Sequence, residues 1–464
     1  MEGISLLLYL KDNYIIQNYC GIILHCRSFV IYSIYKRSTD EMNSAAQFLK
    51  KHGLAPEGIS PVACSEKMLE NMKAGLNGHA VDMPMIPTYL KGTGTIPLGR
   101  NAVVIDAGGT NYRSALACFT EDGCQVSGLK VCHMPGTDHP VSWEEFISFV
   151  ADSFMPFAAE ADVVGFCFSY NADITPEMDG IVQRIDKEVV ITGCEGKRIG
   201  ASLIKELESR GVYGKKVVIL NDTVAALLGG SAELDKTKYS DYIGMICGTG
   251  VNTCAPVAVS KITKLSSSNH DSMLINLESG NYSGMPCGDV DRQVDAESNV
   301  PGEKLMEKMC SGAYIGEVCH TALKKAVEEG LLPAYVAERM DKIEVFNGAV
   351  VDSWACGKDP YGVFDTKEEL EFARETALAI FERSARCMAA NVFTLMRLND
   401  SGKTADHPAC VCAEGSLISR SRYFLPFLKE SLEKAAEEGG RYAEIVLGHD
   451  TTLPGSAVAA LLNT

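Results

Sequence analysis

The chain has 464 residues, which is enough for two or three domains. Hydrophobic residues make up 46 % of it and charged residues 22 %, which excludes a disordered chain, a collagen and a coiled coil. Lys and Arg number 43 against 60 Asp and Glu, so the formal net charge is −17. Such an acidic surface repels phosphate backbones and anionic lipids, which argues against nucleic-acid binding and against attachment to a membrane surface.

The 17 cysteines are scattered and lie mostly in apolar runs such as residues 164–168. This pattern is typical of reduced thiols that pack as small hydrophobic groups in a cytoplasmic protein. No Cys-x-x-Cys pair occurs, and Cys410 with Cys412 cannot supply four zinc ligands. The nine histidines are far apart. The sequence therefore favours neither a zinc site nor a disulfide framework.

Residues 1–41 differ from the rest of the chain, because they lack helix caps and a clear periodicity. Residues 15–35 are largely apolar, but a charge at Arg27, near their middle, is costly in a bilayer. The segment has neither a positively charged leader nor a small-residue cleavage site, so it does not resemble a signal peptide. We therefore expect residues 1–41 to be a non-native or disordered extension, with a membrane tether as the alternative.

From Met42 onward the pattern indicates an α/β protein built in two cycles. Helices are expected over residues 44–52 and 66–76, before an extended, proline-rich connection. The first cycle predicts strands over 102–106, 112–118, 128–133, 163–169 and 216–220, with helices over 143–157 and 200–211. The second predicts strands over 243–247, 253–259, 273–277, 411–413 and 443–448, with helices over 303–328, 367–398, 423–438 and 455–462.

Two segments of the chain resemble one another. Residues 104–111 and 245–252 each contain an apolar strand, a turn of glycine and threonine, and then asparagine. A strand–turn–strand unit that occurs twice indicates a duplicated domain. The alternative is chance, because glycine turns between strands are common.

The glycine turns are candidate phosphate sites. Adjacent glycines let backbone N–H groups approach an anion closely, Asp106 could hold Mg²⁺ through water, and Arg113 could meet phosphate oxygens. The turn at 248–250 repeats this pattern, and the two turns facing each other would clamp a triphosphate. Gly415 and Ser416 could approach a nucleoside. Each turn alone could equally be a simple hairpin, and none matches a P-loop or a dinucleotide fingerprint.

Carboxylates after two other strands are candidates for acid–base work and for sugar binding. Asp222 could accept a hydroxyl proton while Asn221 orients the substrate, although an aspartate here could instead cap the following helix. Glu278 and Glu307 could bind vicinal sugar hydroxyls, because each carboxylate oxygen accepts a directed hydrogen bond. Isolated glutamates are more often merely solvated.

Taken in order, these segments resemble the hexokinase family within the actin-like ATPase superfamily, over nearly the whole chain from about Met42. The first and second phosphate motifs are similar to residues 106–113 and 248–252, and the catalytic segment to 221–224. Further similar segments are the connector 84–89, the start of the sugar-binding segment 166–169, the sugar glutamates at 276–278 and 307–308, and residues 311–317 and 414–416.

This resemblance implies a two-lobed α/β, actin-like ATPase (ribonuclease H-like) fold, with mixed β-sheets flanked by helices and a duplicated core. The large lobe would contain residues 42–93 and 221–448, and the small lobe 94–220 and 449–464. The implied activity is ATP-dependent phosphorylation of the 6-hydroxyl of a hexose, with glucose expected, and with Mg-ATP clamped between the lobes. One base and good positioning suffice for such a transfer.

The resemblance also implies roles for individual residues. Asp222 would be the general base, with Lys187 as a second catalytic residue. The sugar would be bound by Ser169, Asp186, Lys187, Asn221, Asp222, Asn252, Glu278 and Glu307. Mg-ATP would be bound by Asp106 (through water to Mg²⁺), Gly108, Gly109, Thr110, Asn111, Arg113, Gly248, Thr249, Gly250, Gly415 and Ser416.

The chain departs from the family pattern near the sugar. Ile185 and Asp186 stand where the family has the tryptophan and threonine of a Trp-Thr-Lys-Gly segment, and Ser279 replaces another tryptophan. These differences leave the hexose open, and they suggest a catalytically impaired sugar sensor as the alternative function. A chaperone or filament protein of the same superfamily is a weaker alternative, because it has no use for Asp222 and two sugar glutamates.

Overall fold

The computed structural model describes residues 44–92, 94–109, 111–185, 189–265 and 271–464. The extension 1–41, Thr110, Asp186 and Lys187 lie outside these residues, so the expectations for them stay predictions. The predicted lobe boundaries also stay predictions. In the part of the chain described, no helix is both long and apolar enough to cross a membrane.

The strands of the described residues are β1 Ile86–Pro87, β2 Asn101–Gly108, β3 Asn111–Thr120, β4 Gly123–His133, β5 Val141–Ser142, β6 Val163–Phe168, β7 Asn171–Ile174, β8 Gly180–Arg184, β9 Ile191–Thr192, β10 Lys216–Leu220, β11 Asp241–Cys247, β12 Val251–Ala258, β13 Ser272–Asn276, β14 Ala409–Glu414 and β15 Ala443–Leu447. Most of them form two large mixed sheets, one of six strands (β1-β13-β12-β11-β14-β15) and one of five (β10-β6-β2-β3-β4). The others pair as β5 with β9 and β7 with β8.

Both sheets contain the same unit, an antiparallel meander of three strands followed by two parallel strands. In one sheet the meander is β2–β3–β4, with β6 and β10 parallel beside it. In the other it is β11–β12–β13, with β14 and β15 beside it. The two glycine turns join the first and second strands of their units. The predicted duplicated α/β core is therefore confirmed.

The helices cover the faces of these sheets. They are α1 Ser44–Lys51, α2 Pro61–Leu76, α3 Trp143–Phe154, α4 Ile199–Ser209, α5 Asp222–Ser231, α6 Asp289–Glu297, α7 Leu305–Cys310, α8 Ile315–Glu328, α9 Ala334–Met340, α10 Gly348–Ala355, α11 Lys367–Asn399, α12 Ser416–Arg420, α13 Phe424–Glu438 and α14 Thr452–Asn463. Helix α2 begins earlier than predicted because Ser60 caps it, its hydroxyl accepting from the Ala63 N–H.

The prediction of a single helix over 303–328 is wrong, because this segment contains two separate helices, α7 and α8. Between them the Gly312 N–H donates to the Gly248 carbonyl (2.8 Å) and the Ala313 N–H donates to that of Thr249 (3.2 Å). A Cβ on Gly312 would lie 2.6 Å from the Gly248 oxygen. The backbone leaves the helix here to bond the second glycine turn, which no local pattern reveals.

Helices α5 and α14 pack between the two sheets and join them. Leu227 and Leu228 of α5, with Leu453 and Ala457 of α14, belong to one buried cluster that also contains side chains of both sheets. The helices approach backbone to backbone, because a Cβ on Gly455 would lie 1.9 Å from the carbonyl oxygen of residue 225. The small-residue sequence of the last helix is thus required by this contact.

A buried carboxyl at the start of β11 predicts a pH-dependent stability. Burial raises the pKa of Asp241 from 3.8 to about 6, although its oxygens accept from Asn399 (2.8 Å) and the Tyr242 N–H (2.9 Å). The folded protein then holds this proton more tightly than the unfolded chain. The resulting contribution to stability is fully present below the pKa that Asp241 has in the unfolded chain. It is lost as the pH rises through the pKa that Asp241 has in the folded protein.

We therefore expect the free energy of unfolding to fall by about 3 kcal/mol on this account between pH about 4 and about 6. In the Asp241→Asn variant this fall should be absent. Urea unfolding of both proteins across that range measures how steeply the free energy of unfolding changes with pH. The comparison uses these slopes, and not the absolute values, because asparagine also alters the local hydrogen bonds. Equal slopes in the two proteins would contradict the assignment.

Candidate active site

The first glycine turn lies at the end of β2. Gly109 has φ 59°, and a Cβ placed there would meet open space. Asp106 and Arg113 are register partners across β2 and β3, and Arg113 Nη2 lies 2.7 Å from the Asp106 carboxylate. Gly108 is close to Ser169, since its ideal Cβ would lie 3.1 Å from the serine hydroxyl. The turn therefore offers open backbone beside a fixed carboxylate–guanidinium pair.

The turn before α14 also reaches this pair. Asp450, in left-handed conformation, forms a second ion pair with Arg113. The next residue, Thr451, hydrogen-bonds through its hydroxyl to Glu414 at the end of β14. We did not predict Asp450 or Thr451 as part of the site. The signal available was the Gly-His-Asp-Thr run at 448–451, which again places a polar turn between a strand and a helix.

The second glycine turn is packed against two other glycine segments. Within the turn, the Gly248 N–H donates to the Gly250 carbonyl (2.9 Å). Gly415 has φ 129°, and a Cβ there would lie 2.2 Å from the Cys247 oxygen, so only glycine fits. Residues 248–250 and 415–416, which we selected separately, are thus neighbours. Thr249 and Ser416 are exposed beside them.

Asn221 and Asp222 join β10 to α5. Asn221 is the N-cap, its side-chain oxygen accepting from the Thr223 N–H (2.9 Å). Asp222 is the first helical residue, and its Oδ1 accepts from the same N–H (2.7 Å) and from the Thr223 hydroxyl (3.2 Å). The alternative that Asp222 is the N-cap is therefore wrong, since its neighbour has that role.

An amide network orients Glu278, the first of the two glutamates that we predicted to bind a sugar. Asn276 Nδ2 donates to Glu278 Oε1 (2.7 Å), and Asn252 Nδ2 donates to Asn276 Oδ1 (2.8 Å). The oxygen of Asn252 accepts from the N–H groups of Thr253 (2.8 Å) and Ser279 (3.3 Å), which fixes the orientation of its amide. Asn276 was missed as a site residue because a buried strand asparagine carries no distinctive pattern.

The second glutamate is held by the glycine turn. Glu307 is on α7, and its Oε2 accepts from the Val251 N–H (3.1 Å). A Cβ on Gly250 would lie 2.6 Å from that oxygen. A glycine is therefore needed for Glu307 to approach the turn this closely.

The predicted carboxylates influence one another. Burial raises the pKa of Glu278, and the charges of Asp222 and Glu307 raise it further. Burial also raises the pKa of Asp106, opposed by Arg113 and reinforced by Asp222. The charge of Asp222 therefore raises the pKa of both Asp106 and Glu278. A site with this excess of negative charge would repel a bare triphosphate.

The donor set suits a magnesium ion that arrives with its nucleotide. Across the described ranges there is no cluster of three or more His, Cys, Asp or Glu that could hold a metal by itself. Mg²⁺ commonly binds through one or two carboxylates together with substrate phosphates and waters. Asp106, partly exposed beside an open glycine turn, fits that requirement.

Two further predicted residues, Ser169 and Asn111, lie beside the first glycine turn. The Ser169 N–H donates to the carbonyl of residue 107 (3.1 Å), so Ser169 adjoins the first glycine turn. Asn111 begins β3, opposite Gly108. Thr110, Asp186 and Lys187 lie outside the described residues.

Comparisons with known proteins agree with this architecture. Two family models, both described as Hexokinase, match residues 45–232 and 242–462. Hexokinase-1 of Saccharomyces cerevisiae is 33 % identical over 287 residues, which cover 57 % of this chain and 58 % of the yeast protein. Hexokinase-2 of Candida albicans is 28 % identical over 445 residues, which cover 86 % of this chain and 88 % of that protein.

Solved structures show the same fold. The hexokinase from Schistosoma mansoni complexed with glucose matches with a TM-score of 0.72 at 22 % identity, over 90 % of this chain and 99 % of that one. Another hexokinase crystal structure matches with a TM-score of 0.73 at 19 % identity, over 90 % of this chain and 99 % of that one. The two-lobed α/β fold is thereby confirmed. Since the two family models together match most of the chain, it belongs to the hexokinase family of ATP-dependent sugar phosphotransferases.

Proposed function

We propose that this protein transfers the γ-phosphoryl group of Mg-ATP to the 6-hydroxyl of a hexose, with Asp222 as general base and glucose as the expected substrate. The observation that carries the proposal is the position of Asp222 at the start of α5, where its charge acts on both Asp106 and Glu278. A base between a phosphate turn and a sugar carboxylate is what in-line transfer to a hydroxyl requires.

The sugar would be held by Glu278, Glu307 and the Asn252 amide. A hydroxyl both donates and accepts, and this set supplies carboxylate acceptors together with an amide of fixed orientation. Binding would bring the 6-hydroxyl to Asp222, which accepts its proton as the oxygen attacks the γ-phosphorus. The related structure from Schistosoma mansoni, which was solved with glucose, supports a hexose as the acceptor.

The nucleotide would be held by the two glycine turns, with Arg113 beside the phosphates and Gly415 close to the nucleoside. The open Cβ direction at Gly109 supports close approach of an anion to the backbone. Asp106 would hold Mg²⁺ through water, and the ion would neutralise charge on the phosphates. Closure of the two lobes around the sugar would exclude water as a competing acceptor.

A sugar panel tests this function. ADP release is coupled to an indicator reaction, with Mg-ATP and each of glucose, fructose, mannose, galactose and glucosamine. We expect turnover with glucose and loss of turnover when Mg²⁺ is chelated. No turnover with any hexose, combined with tight sugar binding in calorimetry, would contradict the proposal and favour the sugar sensor.

A further inference from the structure

A lysine in the turn that begins α7 lies beside Glu307, one of the two glutamates proposed to bind the sugar. Lys304 Nζ lies 4.0 Å from Glu307 Oε1. Its charge also lowers the pKa of Glu278, opposing the effects of burial and of neighbouring carboxylates on that group. A third, cationic residue is therefore part of the electrostatic environment of the carboxylate pair.

The backbone at Lys304 is unusual. It is the N-cap of α7 with φ 52°, in the left-handed region that a lysine rarely adopts. Such a conformation costs free energy and persists only where the surrounding structure determines it. The preceding residue, Glu303, lies 3.9 Å from Arg184 of the β8 hairpin. The adjacent residues Glu303 and Lys304 thus have different partners: Glu303 lies near Arg184, and Lys304 lies near Glu307.

The charges that face Lys304 are mainly negative. Glu307 Oε1 lies 4.0 Å from its Nζ, and the lysine charge acts to lower the pKa values of Glu278 and Tyr314, both of which burial raises. Two carboxylates attract a cationic ligand in a half-buried site, where charges are weakly screened. One ammonium beside them removes part of that attraction and repels a second ammonium.

We propose that Lys304 tunes substrate specificity by charge, so that a hexose that carries a protonated amino group competes less well with a neutral hexose than it would if the lysine were absent. This inference rests on the proposed function, because it assumes that Glu278 and Glu307 bind the sugar. A hexose is small enough that an amino group on its ring would lie near all three charged side chains.

The test compares glucose, 2-deoxyglucose and glucosamine in the wild type and in Lys304→Gln. At about pH 6.5, where the sugar amine is mostly protonated, we expect the ratio of kcat/KM for glucosamine to that for glucose to rise about tenfold in the variant. The difference should shrink at about pH 8.5, where the amine is mostly neutral. 2-Deoxyglucose separates loss of the hydroxyl from gain of the charge, and its ratio to glucose should not change.

Two further variants make the result specific. Lys324→Gln removes the same charge from α8, where Lys324 pairs with Asp341 (2.8 Å), and should leave the ratio unchanged. Lys304→Arg keeps the charge and should resemble the wild type. A ratio that is the same in Lys304→Gln and the wild type would overturn the inference.

Binding separates this inference from the proposed function. The same ratio of dissociation constants, measured by calorimetry without ATP, should shift in Lys304→Gln even if no sugar is phosphorylated. Absence of turnover with every sugar would contradict the kinase assignment alone, whereas unchanged binding ratios would contradict the role of Lys304 alone.

Discussion

Replacing Asp222 by asparagine is expected to lower kcat for sugar phosphorylation by about 10²–10⁴-fold, the usual contribution of a general base. Asparagine keeps the side-chain oxygen that accepts from the Thr223 N–H (2.7 Å) and hydroxyl (3.2 Å), so the start of α5 should be preserved. Only the ability to take the hydroxyl proton is lost. Sugar affinity should therefore remain close to that of the wild type, while turnover falls.

The measurement pairs a coupled ADP-release assay with calorimetric titration of glucose. Asp122→Asn is the matched control, because Asp122 is exposed in the turn between β3 and β4 and should leave both quantities unchanged. Undiminished turnover in Asp222→Asn would refute the assignment of the base. A loss of sugar binding that parallels the loss of turnover would instead indicate that Asp222 mainly holds the sugar.

Local patterns were sufficient for much of the fold. The strand before each glycine turn is a run of apolar residues, because both strands are central in their sheets and buried on both faces. The second turn is marked by glycines that a close approach requires, as at Gly250, where a Cβ would lie 2.6 Å from Glu307 Oε2. Since these features are encoded within a few residues, the duplicated α/β core could be predicted from the sequence.

Features that depend on distant segments could not be predicted. The interruption between α7 and α8 exists because residues 312–313 bond the glycine turn at 248–249, some sixty residues earlier. The short hairpin β7–β8, absent from our expectations, has a partly exposed pattern that resembles a loop. Pairing of Arg113 with Asp450 joins strand β3 to the turn before α14, which lies 337 residues later in the chain. In each case tertiary contacts override a weak local preference.

The candidate site was predictable to a similar degree. Carboxylates that follow strands stand out in a sequence, and Glu278 and Asp222 are indeed close enough to interact. The amide of Asn276, which orients Glu278, lies inside a strand and is nearly buried, so it resembles a structural residue. Lys304 was missed because its relation to Glu307 depends on a left-handed turn. The roles of all the candidate site residues stay predictions, those of Thr110, Asp186 and Lys187 included.

The largest expected effect on stability comes from an ion pair in the core beneath the six-stranded sheet. Arg383 of α11 and Asp291 of α6 are 1 % and 6 % exposed, and Arg383 Nη1 lies 2.9 Å from Asp291 Oδ1. Asp291 also accepts from the Gly288 N–H (2.7 Å) at the start of α6. Asp291→Asn should lower the free energy of unfolding by about 3–5 kcal/mol, because it leaves a buried guanidinium without its counter-charge.

The two tryptophans of the chain allow this loss to be localised. Trp354 belongs to the same buried cluster as the helices that carry the ion pair, whereas Trp143 belongs to the cluster around the five-stranded sheet. In a Trp143→Phe background, urea unfolding followed by fluorescence therefore reports on the affected core. The prediction would be contradicted if Asp291→Asn changed the free energy of unfolding by less than about 1 kcal/mol relative to the Trp143→Phe background, since removal of one partner from a buried pair is normally costly.

The double variant Asp291→Leu with Arg383→Met separates the cost of an unpaired charge from the value of the pair. Apolar replacement of a whole buried pair is often neutral or stabilising, so most of the lost stability should return. Activity need not return with it, because α6 also carries Asp295, which holds Lys308 (2.6 Å) beside Glu307. A double variant that is stable but has a raised KM for the sugar would show that the ion pair fixes the position of α6 for sugar binding. Recovery of both stability and KM would mean that packing alone suffices to position that helix.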